Sequence, residues 1–417
     1  AKTDFMKYLF LLTTFGLILF QGCHQQPGAQ WRGPERDGIY PDTGLMESWP
    51  EEGPEFLWKF EGLGRGFAAP AVSEDGIFVV GESEGYSYLY ALTPEGKLRW
   101  KKPNGKEFLG EGFSSSYPGA RSTPTLFDGL VYAASGTGRI GCFEASSGEE
   151  LWAVHLMDDL GGILGEFGYS ASPLVDEKYL YCFPGGNENN FVALHRRSGK
   201  VAWSSEVLKD TFAYGSPVFA ELPGKRALIT PSRHFITVLD PSGGELLSSY
   251  RLEGYEYDGE HCNTPVWSNG YIYFVANDVP GQGSVRLKLS ADGRSISEVW
   301  RNNEIMNNFG GFLVVNDHLF TTIQGNTFVS LDPADGTISD SIRVPTGSMA
   351  FADNKFFCYG NNGTVTLVNY KEGRLDIGGA FKVREGSGHH FSYPVLAGGN
   401  LYIRHGNALM AYRLDTH

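Results

Sequence analysis

The sequence predicts an all-β fold: an eight-bladed β-propeller of four-stranded antiparallel blades, closed by pairing of its N- and C-terminal strands. Three observations predict it. A phrase of about 40–50 residues returns along the chain, the period expected of repeat architectures. It consists of a small residue and Pro, an apolar strand, a Gly-containing turn, aromatic-rich strands, and finally Gly-x-x-x-Trp. Its clearest copies run from Ala69-Pro70 to Trp100, Thr123-Pro124 to Trp152 and Ser172-Pro173 to Trp203. Second, the 55 Gly residues supply the positive φ that frequent tight hairpins require. Third, the last copy stops one strand short, while Phe56-Leu57-Trp58-Lys59 offers an outer strand with no blade of its own. Joining the two removes both open sheet edges. Without that pairing the count falls to seven.

The blades follow in order. Blade one uses Ala71-Val72, Ile77 to Val80, Tyr88 to Leu92 and Leu98 to Lys101, and blade two repeats the pattern from Ser122 to Val154. Blade three uses Tyr179 to Phe183, Phe191 to Leu194 and Lys200 to Ser204; blade four carries Ser248 where the outer Trp is expected. Blade five begins at Asn263-Thr264-Pro265 and ends at Trp300. Blade six spans Phe312 to Val344, and blade seven runs from Met349 to an outer strand at Ala380 to Val383. Blade eight begins at Tyr393-Pro394. The recurring Trp sits far from the axis, so its indole is expected between neighbouring blades.

Residues 1–22 read as an export signal with a short upstream extension, because Leu9 to Phe20 is an apolar run too short to span a membrane. It ends in Phe20-Gln21-Gly22-Cys23, which resembles a bacterial lipoprotein processing site, with Phe20 where Leu is usual. Cys23 is then the lipidation residue. Residues 23–55 form a tether and a Pro/Gly-rich strap, and 56–417 the propeller. The strap, with Trp31-Arg32-Gly33-Pro34 and Trp49-Pro50, is expected to cross one face, its Trp residues acting as packing anchors. The location implied is the periplasm or outer membrane of a Gram-negative cell. A net charge of −14 argues against nucleic acid as a partner. Cys142, Cys182, Cys262 and Cys358 stand singly in different blades and read as small buried hydrophobes.

Tyr90-Ala91-Leu92 to Trp100, Phe143 to Trp152 and Val192-Ala193-Leu194 to Trp203 resemble the pyrroloquinoline quinone (PQQ) repeat family. That resemblance implies a propeller and two function classes. One is the quinoprotein dehydrogenases, which hold PQQ with Ca²⁺. The other comprises cofactor-free relatives such as BamB, the lipoprotein of outer-membrane barrel assembly. The dehydrogenases carry a vicinal disulfide, and no Cys-Cys pair occurs here.

Residues just ahead of each small-residue–Pro pair are expected to converge at the channel mouth. They are Arg65, Phe67, Arg121, Glu166, Tyr169, Tyr214, His261, Asn263, Asn308 with Phe309, His389 and His390. Two arginines at a mouth could clamp a carboxylate, and tyrosines would give an amphipathic wall. The reading is a binding or scaffold module for a protein, peptide or glycan partner, monomeric within a larger assembly and without a cofactor or metal. Two alternatives stay open: a PQQ- and Ca-dependent alcohol or sugar dehydrogenase, and a metal-dependent hydrolase or lyase using His261, His389, His390 and Glu166.

Overall fold

The computed structural model describes residues 29–205, 208, 210–252, 261–276 and 283–416. The signal segment, Cys23 and the tether to residue 28 lie outside the described residues. Eight four-stranded antiparallel sheets form the blades, each built from consecutive strands except the eighth. There Phe56–Glu61 pairs with Ala408–Arg413, placing Phe56 opposite Tyr412 and Lys59 opposite Met410. The ring therefore closes by its two ends, and the count is eight.

The inner strands include Ala71–Ser73, Thr125–Phe127, Leu174–Val175, Val218–Leu222, Val266–Ser268 and Leu313–Val315. Gly347–Ala352 and Val395–Ala397 complete the circle. The outer strand of blade seven departs from expectation: it is Arg374–Lys382, not Ala380 to Val383. Gly379 pairs with Leu367 beside a register shift, where a bulge absorbs Gly378-Gly379 and lets the strand begin earlier. Side-chain alternation gives each blade two buried faces, so the core is a ring of sandwiches. Phe78 and Val80 of blade one meet Leu126 and Val131 of blade two, and Ile229 of blade four meets Ile272 and Phe274 of blade five.

The outer Trp follows one rule. Each indole lies on the third-to-outer turn of the next blade and donates its N–H to a carbonyl there. Trp58 reaches Pro94 O at 2.9 Å, Trp100 Ala145 O at 3.2 Å and Trp152 Arg196 O at 2.9 Å. Trp203 and Trp300 do the same to Pro241 and Pro333. The Gly of the next Gly-x-x-x-Trp receives the ring: a Cβ on Gly199 would stand 2.5 Å from a Trp152 ring carbon. Gly199 also has φ +67°, so any side chain there is disfavoured twice. In blade four, where Trp is missing, the Ser248 hydroxyl donates to Gly293 O at 2.8 Å instead.

The strap does more than cross a face. Ala29 O accepts the Leu126 N–H of blade two, Arg36 reaches blade three, Arg32 blade six and Ile39 blade seven. It then runs outward, with Leu45 bridging to Asp415 and Trp49 packing on Phe357 and Phe381. Trp31-Arg32-Gly33-Pro34-Glu35-Arg36 is thus a plug at the axis. Arg32 and Arg36 are fully buried and held by main-chain carbonyls: Phe312 O for one, Ser172 O and Pro173 O for the other. Desolvation pushes the Arg36 guanidinium down to about 9.

Candidate functional site

At the end of the channel where the inner strands begin lies a cavity of about 460 Å³. Its wall follows from the repeated proline. The residue before a proline is driven into extended backbone, and extended backbone sends alternate side chains to opposite sides. Counting back from each Pro, the first and third residues line the cavity. These pairs are Ala69 and Phe67, Thr123 and Arg121, Ser172 and Ser170, Ser216 and Tyr214, Thr264 and Cys262, and Tyr393 and Phe391. Trp31 of the plug also lines the cavity.

The first positions also hold neighbouring blades together. Thr123 N donates to Ser172 Oγ at 3.0 Å, Ser172 N to Ser216 Oγ at 2.9 Å, and Ser216 N to Thr264 Oγ1 at 2.8 Å. This arc of hydroxyls spans blades two to five. The other side of the ring is aromatic, with Phe309 of blade six, Phe391 and Tyr393 of blade eight, and Phe67 of blade one. Phe309 and Phe391 lie 5.0 Å apart, and Phe67 and Phe391 5.4 Å. Loops between the early blades add Phe113, Tyr117 and Phe167. Tyr117 reaches across to stack on Phe391 at 6.2 Å.

Arg121 is the one cation on the described wall. Its Nη2 donates to Tyr117 O and its Nε to Gly119 O at 3.3 Å. The guanidinium lies over the Phe108 ring, 5.0 Å from its centroid. Burial pulls its pKa down, and the nearby Glu107 opposes that shift. Glu107 is itself buried, and desolvation raises its carboxyl.

Of the residues expected at the mouth, Phe67, Arg121, Tyr214, Asn308 and Phe309 line the cavity. The others do not. Tyr169, His261 and His390 are fourth from their prolines and Asn263 is second, so alternation turns them into the blades. His261 is fully buried, edge-on to Phe274 at 5.3 Å, and desolvation pushes it down to about 3. Asn263 bridges blades by donating to Val275 O and Asn307 O. His390 stacks on His405 at 3.8 Å, is pushed down to about 4 by burial, and bonds the Tyr359 hydroxyl. Tyr169 packs on Phe212. His389 is exposed and stacks on Phe391 at 4.8 Å, outside the wall. Glu166 is exposed, and Arg65 turns away to pair with Glu82 at 2.5 Å. The two-arginine clamp is therefore not formed. Sequence reasoning missed Trp31, Tyr117, Phe167, Phe391, Tyr393 and the hydroxyl arc. Counting in twos from each proline would have found Phe391, Tyr393 and the arc.

Three of the four described Cys residues are buried, Cys262 is exposed on the cavity wall, and none forms a disulfide among the described residues. The described wall carries no Asp, Glu or His. No group of three metal-ligating side chains occurs among the described residues. Calcium takes six to eight oxygen ligands, carboxylates prominent among them. These residues therefore do not fit a calcium-held quinone.

A family model described as "Outer membrane protein assembly factor BamB" matches residues 88–342. The chain belongs to that family. Among solved structures, BamB from Moraxella catarrhalis is similar at 12% identity and a TM-score of 0.60, over 87% of this chain and 100% of that one. A quinohemoprotein alcohol dehydrogenase from Pseudomonas putida is 12% identical with a TM-score of 0.54, over 94% and 81%. A europium-containing methanol dehydrogenase is 12% identical with a TM-score of 0.53, over 93% and 91%. At such identities the likeness is one of fold alone. A search of the curated proteins finds no match. No helix among the described residues is long and apolar enough to cross a membrane.

Proposed function

We propose that this BamB-family propeller is an exported, lipid-anchored scaffold module that binds a protein partner through its mouth cavity and catalyses no reaction. The observation that carries this is the chemistry of the wall. Nine of the lining residues are aromatic, one is cationic, and none of the described ones is a carboxylate or imidazole. General acid–base work most often uses His, Asp or Glu, and the described wall has none of them. Aromatic walls with few polar anchors are what binding sites use. The plug at the axis makes the channel a blind cup, suited to holding a ligand. Export and the anchor rest on the apolar run before Cys23. The test is affinity purification of the full chain from native membranes. Recovery of a protein partner, lost with a Phe391→Ala variant that still folds, and release from membranes with Cys23→Ser, are the expected results. Recovery of the chain alone, from the soluble fraction, would sink the proposal.

A further inference from the structure

The two sides of the cavity ask for different halves of one ligand. Ser172, Ser216 and Thr264 each accept a neighbour's N–H and donate to no described acceptor. The Thr123 hydroxyl, on a residue 1% exposed, has no partner among the described residues. Each hydroxyl carries one hydrogen to give, so Ser172, Ser216 and Thr264 put a row of unspent donors on the cavity wall, with the Thr123 oxygen sealed behind it. Arg121 stands beside Thr123 on the same wall, and its Nη1 bonds no described residue. A row of free donor hydrogens beside one fixed positive charge suits an edge of acceptors bearing one negative charge. The aromatic side, with Phe309, Phe391 and Tyr393 and with Phe67 next to Arg121, offers ring faces and edges, which suit a flat apolar body.

We infer that the cavity takes a monocarboxylate on an aromatic ring, the ring against Phe67, Phe309 and Phe391 and the carboxylate on Arg121 and the hydroxyl arc. This rests on the mouth cavity being the binding site. A neutral sugar would leave the one guanidinium of the described wall without a counter-charge. A multiply charged aromatic acid would leave charges unmatched by a single guanidinium. The same chemistry has two sources: a free aromatic acid, or the carboxyl terminus of a polypeptide ending in an aromatic residue.

Calorimetry on the purified full chain tests it, with 2-naphthoate, 2-naphthamide, glucuronate and N-acetylphenylalanine as probes. Naphthoate is expected to bind at least tenfold more tightly than its amide, about 1.4 kcal/mol, and more tightly than glucuronate. Arg121→Met should erase that preference. N-acetylphenylalanine binding more tightly than naphthoate assigns the chain-end source; the reverse order assigns the free acid. Naphthoate no tighter than its amide, glucuronate tighter than naphthoate, or a preference for naphthoate that survives Arg121→Met would overturn the inference. If a membrane partner is still recovered then, only the ligand class is lost. No binding by any probe, together with no partner, removes the mouth site as well.

Discussion

The outer girdle and the axial mouth are the two ends of one repeated phrase, and they are used in opposite ways. At the girdle the phrase is kept: five Trp residues make the same N–H contact to the next blade. At the mouth the third residue before each proline changes in almost every blade, from Phe67 to Arg121, Ser170, Tyr214 and Cys262. Sameness at the girdle is what closing a ring of like blades demands. Variation at the mouth is freer, because those side chains line a cavity and share no common contact with the next blade, even where one of them, Ser170, donates to Tyr214 O. Structure is written in the part of the repeat that holds, and recognition in the part that varies.

The largest effect that separates the two ends is expected from Trp152→Ala. It removes a large aromatic, its bond to Arg196 O and the cover over Gly199. The loss should be on the order of 4 kcal/mol, read as a fall in the urea midpoint at constant m. A loss below about 1 kcal/mol would mean that the girdle is not what holds neighbouring blades together.

His261 sharpens the boundary, because it lies near the mouth in sequence yet belongs to the core. Its folded pKa, about 3, is below the ordinary histidine value, since burial disfavours the imidazolium. The unfolded chain therefore binds the proton more readily, and stability falls as pH drops below about 6.5. By pH 4 this one group should cost on the order of 3 kcal/mol. His261→Phe should flatten the stability profile between pH 6.5 and 4; an unchanged slope would assign the acid loss elsewhere.

Gly199→Ala attacks the girdle from the receiving side. Its Cβ would meet Trp152 at 2.5 Å in left-handed backbone, so a cost of about 2 kcal/mol is expected. A thermal midpoint equal to the wild type would show that the turn can shift away from the indole.

The fold was legible because its signals are local and repeated: proline before a strand, glycine in the turn, Trp in the outer strand. Even the closure of blade eight could be read, since Trp58 marks an outer strand without a blade. The mouth was only half legible. Phe67, Arg121 and Tyr214 have the right spacing from their prolines, whereas Tyr169, His261, Asn263 and His390 are one residue out of phase. A shift of one residue in extended backbone exchanges the cavity for the core. Trp31 was hidden for a different reason. Its place on the wall depends on Arg32 and Arg36 finding carbonyls in blades six and three, a long-range arrangement that no local pattern encodes.

The smallest effect on stability, and the sharpest test of the mouth, comes from Phe113→Ser. Phe113 is 68% exposed, on the rim between blades one and two, and among the described rings touches only Tyr117 and Phe167. Exposed side chains contribute little to folding, so the stability change should stay within about 0.5 kcal/mol. An exposed apolar ring beside a cavity lined by Arg121 is, however, what a partner would cover. The variant is expected to keep its thermal midpoint and its acid profile while losing most of the partner recovered from membranes. If partner recovery survives Phe113→Ser but fails with Phe391→Ala, binding is confined to the cup and the rim is incidental. If both survive, recognition does not occur at this end of the channel, and the variation among its residues needs another cause.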